Sequence, residues 1–572
     1  MRKVNQACQR YLKAKFRSDL TAGLTVGMVV IPQSLAYAVI AGVNPVYGLF
    51  TAIIPTIIGA IGGSSQFLIT GPTNPTALVT ASVLLGYADR SDYLEYVLVL
   101  SVLAGLIKLL FGFFKLGALT RYLSNSVLVG FLSAAGLLII TGQIGNLLGI
   151  NLPRSSYLWV IAKNLIENFS RVNLLTLGIS ASSIGAMVII PRFNPRLPAG
   201  LITVILITLV VRFAGLEEHG VRLVSAYGLP ESIQLSFHLP EFSLSEFPAL
   251  LVPGLAVALF GLMETVSITK AMSQITGERP DPSREMIGQG LASFAGGFFY
   301  CMPSSGSPSR TVINVTSGAK TRLSAVFSGL GVLVFIRAAS SVIGYIPMAA
   351  LGAVVVVSSA GLINIKLIHM TWQSRITSRV IMSLTFISAL ILPLEYSIII
   401  GAISSLLIFL GESSLINLSY IKEDENGQFV ELPITSINQH RPEIVIVNVE
   451  GNLYFAAIEG LQKELEDIIE SRPKALILRF RRTHLFASTG AVALKQFVKS
   501  TQEAGIHVLL CGVHKEMLET LETAGILDSI GQTNVFTVNN QILDSTHEAL
   551  NKAKYLLSSN NNKSNNKSIS AD

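Results

Sequence analysis

The sequence predicts an α-helical membrane protein of about fourteen spans, built as a seven-plus-seven inverted repeat and followed by a small cytosolic α/β domain. Three observations point there. Half of the 572 residues are hydrophobic and only 13% are charged, with a mean hydropathy of +0.57, a balance that soluble domains do not carry. From about Ser419 onward the composition changes to that of an ordinary soluble domain, so one membrane domain and one cytosolic domain are expected. Two short apolar segments open with helix-breaking clusters, "TGPTNPT" at 70–76 and "SSGSPSRT" at 304–311, at corresponding places in the two halves.

The first element is the N-terminal segment 1–18. It has no apolar stretch followed by a small-residue cleavage site, so it is not a cleaved signal peptide. Arg2, Lys3, Arg10, Lys13, Lys15 and Arg17 suit an interfacial cytoplasmic helix. The transmembrane region, 19–415, holds apolar segments near 20–36, 47–63, 71–87, 94–112, 124–146, 173–190 and 197–215. A second set lies near 250–272, 286–300, 308–318, 323–343, 347–363, 377–392 and 395–415. Alternation from a cytoplasmic N-terminus puts Lys115, Arg121, Arg192, Arg196, Lys320, Arg322, Lys366, Arg375 and Arg379 inside. The glutamate-bearing loop 216–248 falls outside. That is the positive-inside pattern, with both termini cytoplasmic in a multi-pass protein of the plasma membrane. It also accounts for the net charge of +7 without nucleic acid as a partner. Cys8, Cys301 and Cys511 form no disulfide framework or metal site, and His219, His238 and His369 are too scattered for one.

The chemistry gathers at the broken helices. A half-helix starting in mid-membrane aims free N–H groups and about half a positive charge at whatever faces it. Two such starts facing each other make an anion site, to which Thr73, Asn74, Thr76, Ser307 and Ser309 add side-chain hydrogen bonds. Arg310 is the full positive charge at either break. Its burial costs at least ~3 kcal/mol unless it meets a cavity, a substrate or a carboxylate. Glu264, in "VALFGLMETVSITKAM", is as costly unless paired or protonated, which suits it to accept a proton or hold a cation. A static ion pair between Glu264 and Arg310 is the bland alternative. Gln33 and Tyr37 lie one turn apart on the same face, as a polar and aromatic cavity wall or as ordinary core. Polar residue and helix break recur together in both halves, the pointer to a secondary transporter's binding site.

These residues carry a family resemblance. "DLTAGLTVGMVVIPQSLAYAVIAGVNPVYGLF" (19–50), "GPTNPTALV" (71–79) and "SSGSPSRTVINVTSGAKTRLSAV" (304–326) closely resemble, in order, the motifs of the sulfate permease (SulP) family. The resemblance implies a core domain of spans one to four and eight to eleven and a gate domain of the rest. It further implies dimers that carry or exchange anions by an elevator motion, with Gln33, Tyr37, Thr73, Ser309 and Arg310 at the anion site and Glu264 coupling to a cation. Two departures stand out. Asn74 and Pro75 follow the first proline of the third span, and Ser293 replaces an asparagine common in bacterial members.

After a linker at 416–440, the runs "EIVIVNVEG" (443–451), "ALILRFRR" (475–482) and "HVLLCGV" (507–513) alternate with amphipathic stretches at 456–471, 489–504 and 514–524, as in a small α/β domain over 441–555. It resembles the STAS domain that closes most SulP members and through which they dimerise in part. The family's Asp-x-Ser/Thr-Gly turn reads Ala487-Ser488-Thr489-Gly490 here. Ser488 or Thr489 as helix N-cap is preferred to a phosphosite. The polar tail 556–572 is expected to be disordered. No nucleophile–base or metal constellation marks an enzyme, and no cofactor is expected. The expected function is secondary active transport of a small inorganic anion into or across the bilayer, most readily sulfate with protons. Sodium-coupled bicarbonate transport, an uncoupled exchanger or channel, and a membrane-anchored signalling module are the rival readings.

Overall fold

The computed structural model describes residues 15–116, 124–152, 158–194, 197–227, 235–241, 246–424, 427–437, 442–453 and 457–568. The chain divides into two compact units, Met1–Leu406 and Leu407–Asp572. The expected interfacial segment lies largely outside the described residues, and the first helix begins at Phe16.

In the first unit the elements run α1 (Phe16–Ala41), α2 (Pro45–Gly62), β1 (Thr70–Gly71), α3 (Asn74–Val83), α4 (Tyr93–Phe113), α5 (Asn125–Gly142), α6 (Ile144–Leu148), α7 (Leu158–Glu167), α8 (Leu174–Phe193) and α9 (Ala199–Phe213). The second half continues with α10 (Phe247–Thr276), α11 (Pro282–Gly297), β2 (Ser305–Gly306), α12 (Pro308–Thr316), α13 (Leu323–Ile343), α14 (Met348–Ala360), α15 (Ile365–Gln373), α16 (Ile376–Ile391) and α17 (Leu394–Ser413). A helix lies in each expected apolar segment. Among the described residues, nine helical stretches are long and apolar enough to cross a membrane, and α9 and α16 are shorter apolar helices.

These helices pack as two groups. α1 to α4 pack with α10 to α13, through the pairs α4–α11, α1–α13, α2–α11 and α4–α10. α5, α8, α9, α14 and α16 form the other group, through α5–α16, α8–α14, α8–α9 and α5–α14. Small residues bring the backbones close, as membrane helices need without a hydrophobic drive between them. The halves answer each other. Asp19, in the first turn of α1, accepts from the Lys320 and Thr321 amides at 2.6 and 3.0 Å, in the loop after α12. Glu246, the N-cap of α10, accepts from Arg90 and Tyr96 around the loop after α3. Each half thus holds the chain around the loop that follows the other's half-helix.

The second unit carries β3 (Asn417–Glu423), β4 (Phe429–Pro433), β5 (Ile444–Leu453), α18 (Ile458–Glu470), β6 (Ala475–Phe486), α19 (Ser488–Glu503), β7 (His507–Val513), α20 (Lys515–Thr523), α21 (Ile526–Ile530), β8 (Val535–Thr537) and α22 (Asp544–Ser568). The sheet order is β4-β3-β5-β6-β7-β8, parallel from β5 to β8, with β3 antiparallel to both its neighbours. One face is covered by a core that includes Leu461, Leu465, Leu494, Phe497, Met517 and Leu521. The other is covered by α22 through Ala549, Leu550 and Ala553.

Three expectations are corrected here. The segment 416–440 is not a plain linker, because β3 and β4 form a hairpin that extends the sheet. Helical backbone in α22 continues through Ser568, over most of the tail expected to be disordered. The N-cap of α19 is Ala487, without a side-chain hydrogen bond, so neither Ser488 nor Thr489 caps that helix.

Candidate functional site

The two broken starts meet. Thr70–Gly71 and Ser305–Gly306 pair as a two-stranded antiparallel ribbon, Thr70 opposite Gly306 and Gly71 opposite Ser305. Their free edges are pinned by side chains. The Ile69 amide donates to Thr311 Oγ1 at 3.1 Å, Asn314 donates to the Phe67 carbonyl at 2.9 Å, and Gln289 donates to Thr70 Oγ1 at 2.7 Å. The extended approach satisfies buried backbone that has no helix to use. Proline then stands in the first turn of both α3 and α12, where its missing N–H costs nothing.

The two helix starts are not equivalent. Thr73 caps α3, its hydroxyl accepting from the Thr76 amide at 3.3 Å. Ser307 precedes α12 but makes no side-chain cap. Of the two positive ends, α12 therefore keeps its first-turn amides uncapped by a side chain, and it is the stronger anion acceptor.

Glu264 of α10, 4% exposed, lies against this ribbon. Thr73 Oγ1 donates to its Oε2 at 3.2 Å, and the Ser305 hydroxyl donates to the same oxygen. Thr76 closes the cluster at 2.8 Å from Thr73 and 3.0 Å from Ser305. Hydroxyl donors meet the carboxylate as they would meet an ionised group, yet no cation pairs with it within salt-bridge distance among the described ion pairs. Arg310 is fully buried and holds the backbone instead. Its Nη2 donates to the Pro72 carbonyl at 2.5 Å, while Nε and Nη1 have no protein partner. The alternative of a static Glu264–Arg310 pair is not the arrangement here.

In front of the cluster lies a cavity of about 1150 Å³. Gln33, Tyr37, Thr73, Asn74, Glu264, Ser307 and Ser309 line it, so seven of the nine expected site residues share one wall. Thr76 and Arg310 stand behind that wall, touching it through Thr73 and through Pro72. The Gln33 amide oxygen is buried without a protein partner, and Tyr37 interacts with Ser358. Asn74 donates to Ser358 Oγ at 3.1 Å and Ser359 Oγ at 2.9 Å, which ties the start of α3 to the end of α14. The cavity extends to Ser126 at the start of α5, Lys270 and Gln274 at the end of α10, and Thr371 in α15. A second cavity, about 250 Å³, lies at the opposite ends of the same helices, against Ile40, Ala81, Gly142 and Arg222.

Two contributors were missed in the sequence. Ser305 stands two residues before Ser307, the N-cap of α12, outside the helix start that Ser307 and Ser309 mark. Lys108 of α4 is fully buried and donates to the Ser304 carbonyl at 2.7 Å and to Ser293 Oγ at 3.1 Å. It is a charge inside an apolar run, the same signal that marked Glu264.

The family model described as "Sulfate permease family" matches residues 16–385, and a "STAS domain" model matches residues 436–549. "Putative sulfate transporter YvdB" of Bacillus subtilis is 25% identical over 534 residues, covering 93% of this chain and 98% of the relative. "Probable sulfate transporter 4.2" of Arabidopsis thaliana is 27% identical, covering 90% and 79%. Among solved structures, the murine Slc26a9 anion transporter in the inward-facing state matches with a TM-score of 0.85 at 20% identity, over 95% of this chain and 92% of that one. The transmembrane domain of the cyanobacterium bicarbonate transporter BicA matches with a TM-score of 0.58 at 23% identity, over 67% and 97%. The two structures share the fold. With well over half its length matched by the family model, this multi-pass chain belongs to the sulfate permease family, a family of transporters and not of enzymes.

Proposed function

We propose that the chain is a secondary active transporter that carries sulfate with protons by elevator-type alternating access. The observation that carries this reading is the uncapped start of α12. It opens on the cavity that Glu264 also lines, so an anion and a coupling carboxylate share one compartment. Anion transport is supported by relatives named as sulfate transporters and by the fold of an anion transporter. Sulfate is favoured over a monovalent anion because the surroundings hold two buried cations, Arg310 and Lys108, against one acid, Glu264. Protons are favoured as the coupling ion because Glu264 needs no further ligand to accept one.

On this reading fourteen spans cross the plasma membrane with both termini in the cytoplasm, and the chain is a homodimer, in part through its STAS domain. The basic loops around Lys320, Arg322, Lys366 and Arg375 support that orientation. It turns the large cavity to the cytoplasm and makes the conformation inward-open.

The test is reconstitution in liposomes with labelled sulfate and labelled bicarbonate, each under an imposed proton or sodium gradient. Sulfate accumulation driven by the proton gradient, lost in Glu264→Gln while the variant still binds sulfate, is the expected result. Sodium-driven bicarbonate accumulation would replace this reading with a sodium-coupled bicarbonate transporter. Undiminished gradient-driven accumulation in Glu264→Gln would remove the coupling role and leave an uncoupled exchanger or channel.

A further inference from the structure

One buried charge enters the proposed transport cycle only through its sign. Lys108 does not line the cavity; it lies behind the ribbon, fully buried, on the Ser304 carbonyl and the Ser293 hydroxyl. Its Nζ also closes on α10 at Gly261, where a Cβ would sit 3.0 Å away, one turn before Glu264. Ser304 is followed by Ser305, whose hydroxyl holds Glu264. The ammonium and the carboxylate are thus separated by a single strand residue.

We infer that Lys108 is a built-in cation, which fills the oxygen niche beside Glu264 and thereby excludes sodium from the coupling site. In transporters of this architecture a sodium ion is held by unwound backbone carbonyls and nearby oxygens at the break of a helix. The oxygens here include Thr73 Oγ1 and Ser305 Oγ on Glu264, Thr76 Oγ1 beside them, and, around Lys108, Ser304 O and Ser293 Oγ. The first two already donate to the carboxylate, and the last two accept from Lys108. A metal ion entering here would compete with Lys108 for Ser304 O and Ser293 Oγ and meet a like charge where the dielectric is low. A proton needs no oxygen cage, only the carboxylate. Because the ammonium is tethered to α4, it stays with α10 and α12 through any motion of that helix group, so the exclusion holds in every state of the cycle. Arg310 and Tyr37 are the other ionisable groups that act on Glu264 here, and neither contacts the niche.

This inference rests on Glu264 as the coupling group, and its test needs no transport. The full-length protein, purified in detergent, is melted in sodium chloride and in N-methylglucamine chloride at equal ionic strength. Wild type and Lys108→Arg are expected to melt identically in the two salts. Lys108→Ala and Lys108→Gln are expected to gain a saturable sodium-dependent rise in Tm, and adding Glu264→Gln to either is expected to abolish it. Two substitutions of different size keep the test alive where one fails to fold. A sodium-dependent rise in wild type, no rise in either variant, or a rise that survives Glu264→Gln would each overturn the inference. A wild type that carries no sulfate in liposomes would instead overturn the proposed function and leave the niche standing.

Discussion

At Arg310 a guanidinium with five N–H donors is buried on one backbone carbonyl behind the cavity wall, and on the proposed reading the nitrogens left over are the donors that an anion would draw on. Nη2 holds Pro72, the residue that leads into α3, while Nε and Nη1 stay unpartnered. Such a buried donor set costs stability unless a ligand meets it. Arg310→Ala is expected to weaken sulfate binding by about 10- to 100-fold, the worth of a charge-assisted hydrogen bond of ~1.5–3 kcal/mol. Arg310→Lys should weaken it too, because a point-like ammonium cannot serve both the carbonyl and the ligand. Equilibrium binding to the purified variants decides this, and unchanged affinity in both would remove Arg310 from the site. Gly71 leaves room for the same guanidinium. Its φ is +152°, and a Cβ there would fall 2.8 Å from Arg310 Nη1. In the second unit, burial pushes the Cys511 thiol up to about 12. A raised value keeps it protonated at neutral pH, so a maleimide at pH 7.5 is expected to spare Cys511 in the folded protein and modify it after unfolding. Labelling of the folded protein would contradict that burial. At this scale Glu264, Thr73 and Gln33 were legible because each interrupts an apolar run. Lys108 was not, because it stands four residues before the end of the run 94–112, where a lysine ordinarily snorkels to the interface. Helical side chains lean toward their own N-terminus, and in α4 that direction leads away from the nearby helix end and into the bilayer.

Among the elements, α4 and α11 show how closely these helices must approach. A Cβ on Gly105 would lie 2.3 Å from the Phe294 amide nitrogen, so backbone meets backbone with no flexible side chain to give way. Gly105→Val is expected to cost about 1–3 kcal/mol of overpacking. It should lower the thermal transition of the detergent-purified protein, while Gly178→Val, with open space around it, should leave the transition in place. Equal effects would mean that α4 and α11 do not set the stability. The apolar segments were readable as helices from hydropathy alone, and both half-helices from their Gly and Pro. The ribbon between them was not, since two-residue strands joined across more than 230 positions, Gly71 to Ser305, have no periodicity to show. The β3–β4 hairpin was lost for a related reason. Its second strand, β4, is mostly exposed, so its residues look like those of a polar connector although the chain pairs there from Ser419 to Pro433.

For the molecule as a whole, the division into two helix groups gives the proposed motion a measurable handle. α3 belongs to one group and α14 to the other, and Asn74 joins them through Ser358 and Ser359. An elevator step that carries α3 past α14 must break both bonds, and it must shrink the 1150 Å³ cavity while enlarging the 250 Å³ one. Ser126 reports on the first cavity and Ala81 on the second. With Cys8 replaced by Ser, and Cys301 and Cys511 buried, Ser126→Cys and Ala81→Cys become clean single-thiol probes. Ser359→Ala removes one hydrogen bond without changing the cavity wall, since Ser359 does not line it. The loss of ~1 kcal/mol shifts the ratio of the two states about fivefold toward the outward-open one. Labelling at position 126 should therefore slow in the first single-thiol variant and labelling at position 81 should quicken in the second, with sulfate affinity of each state unchanged. A common change in both rates would mean that Ser359→Ala loosens the fold generally. No change in either would mean that the Asn74 contact is not broken during transport, and that α3 and α14 move as one body.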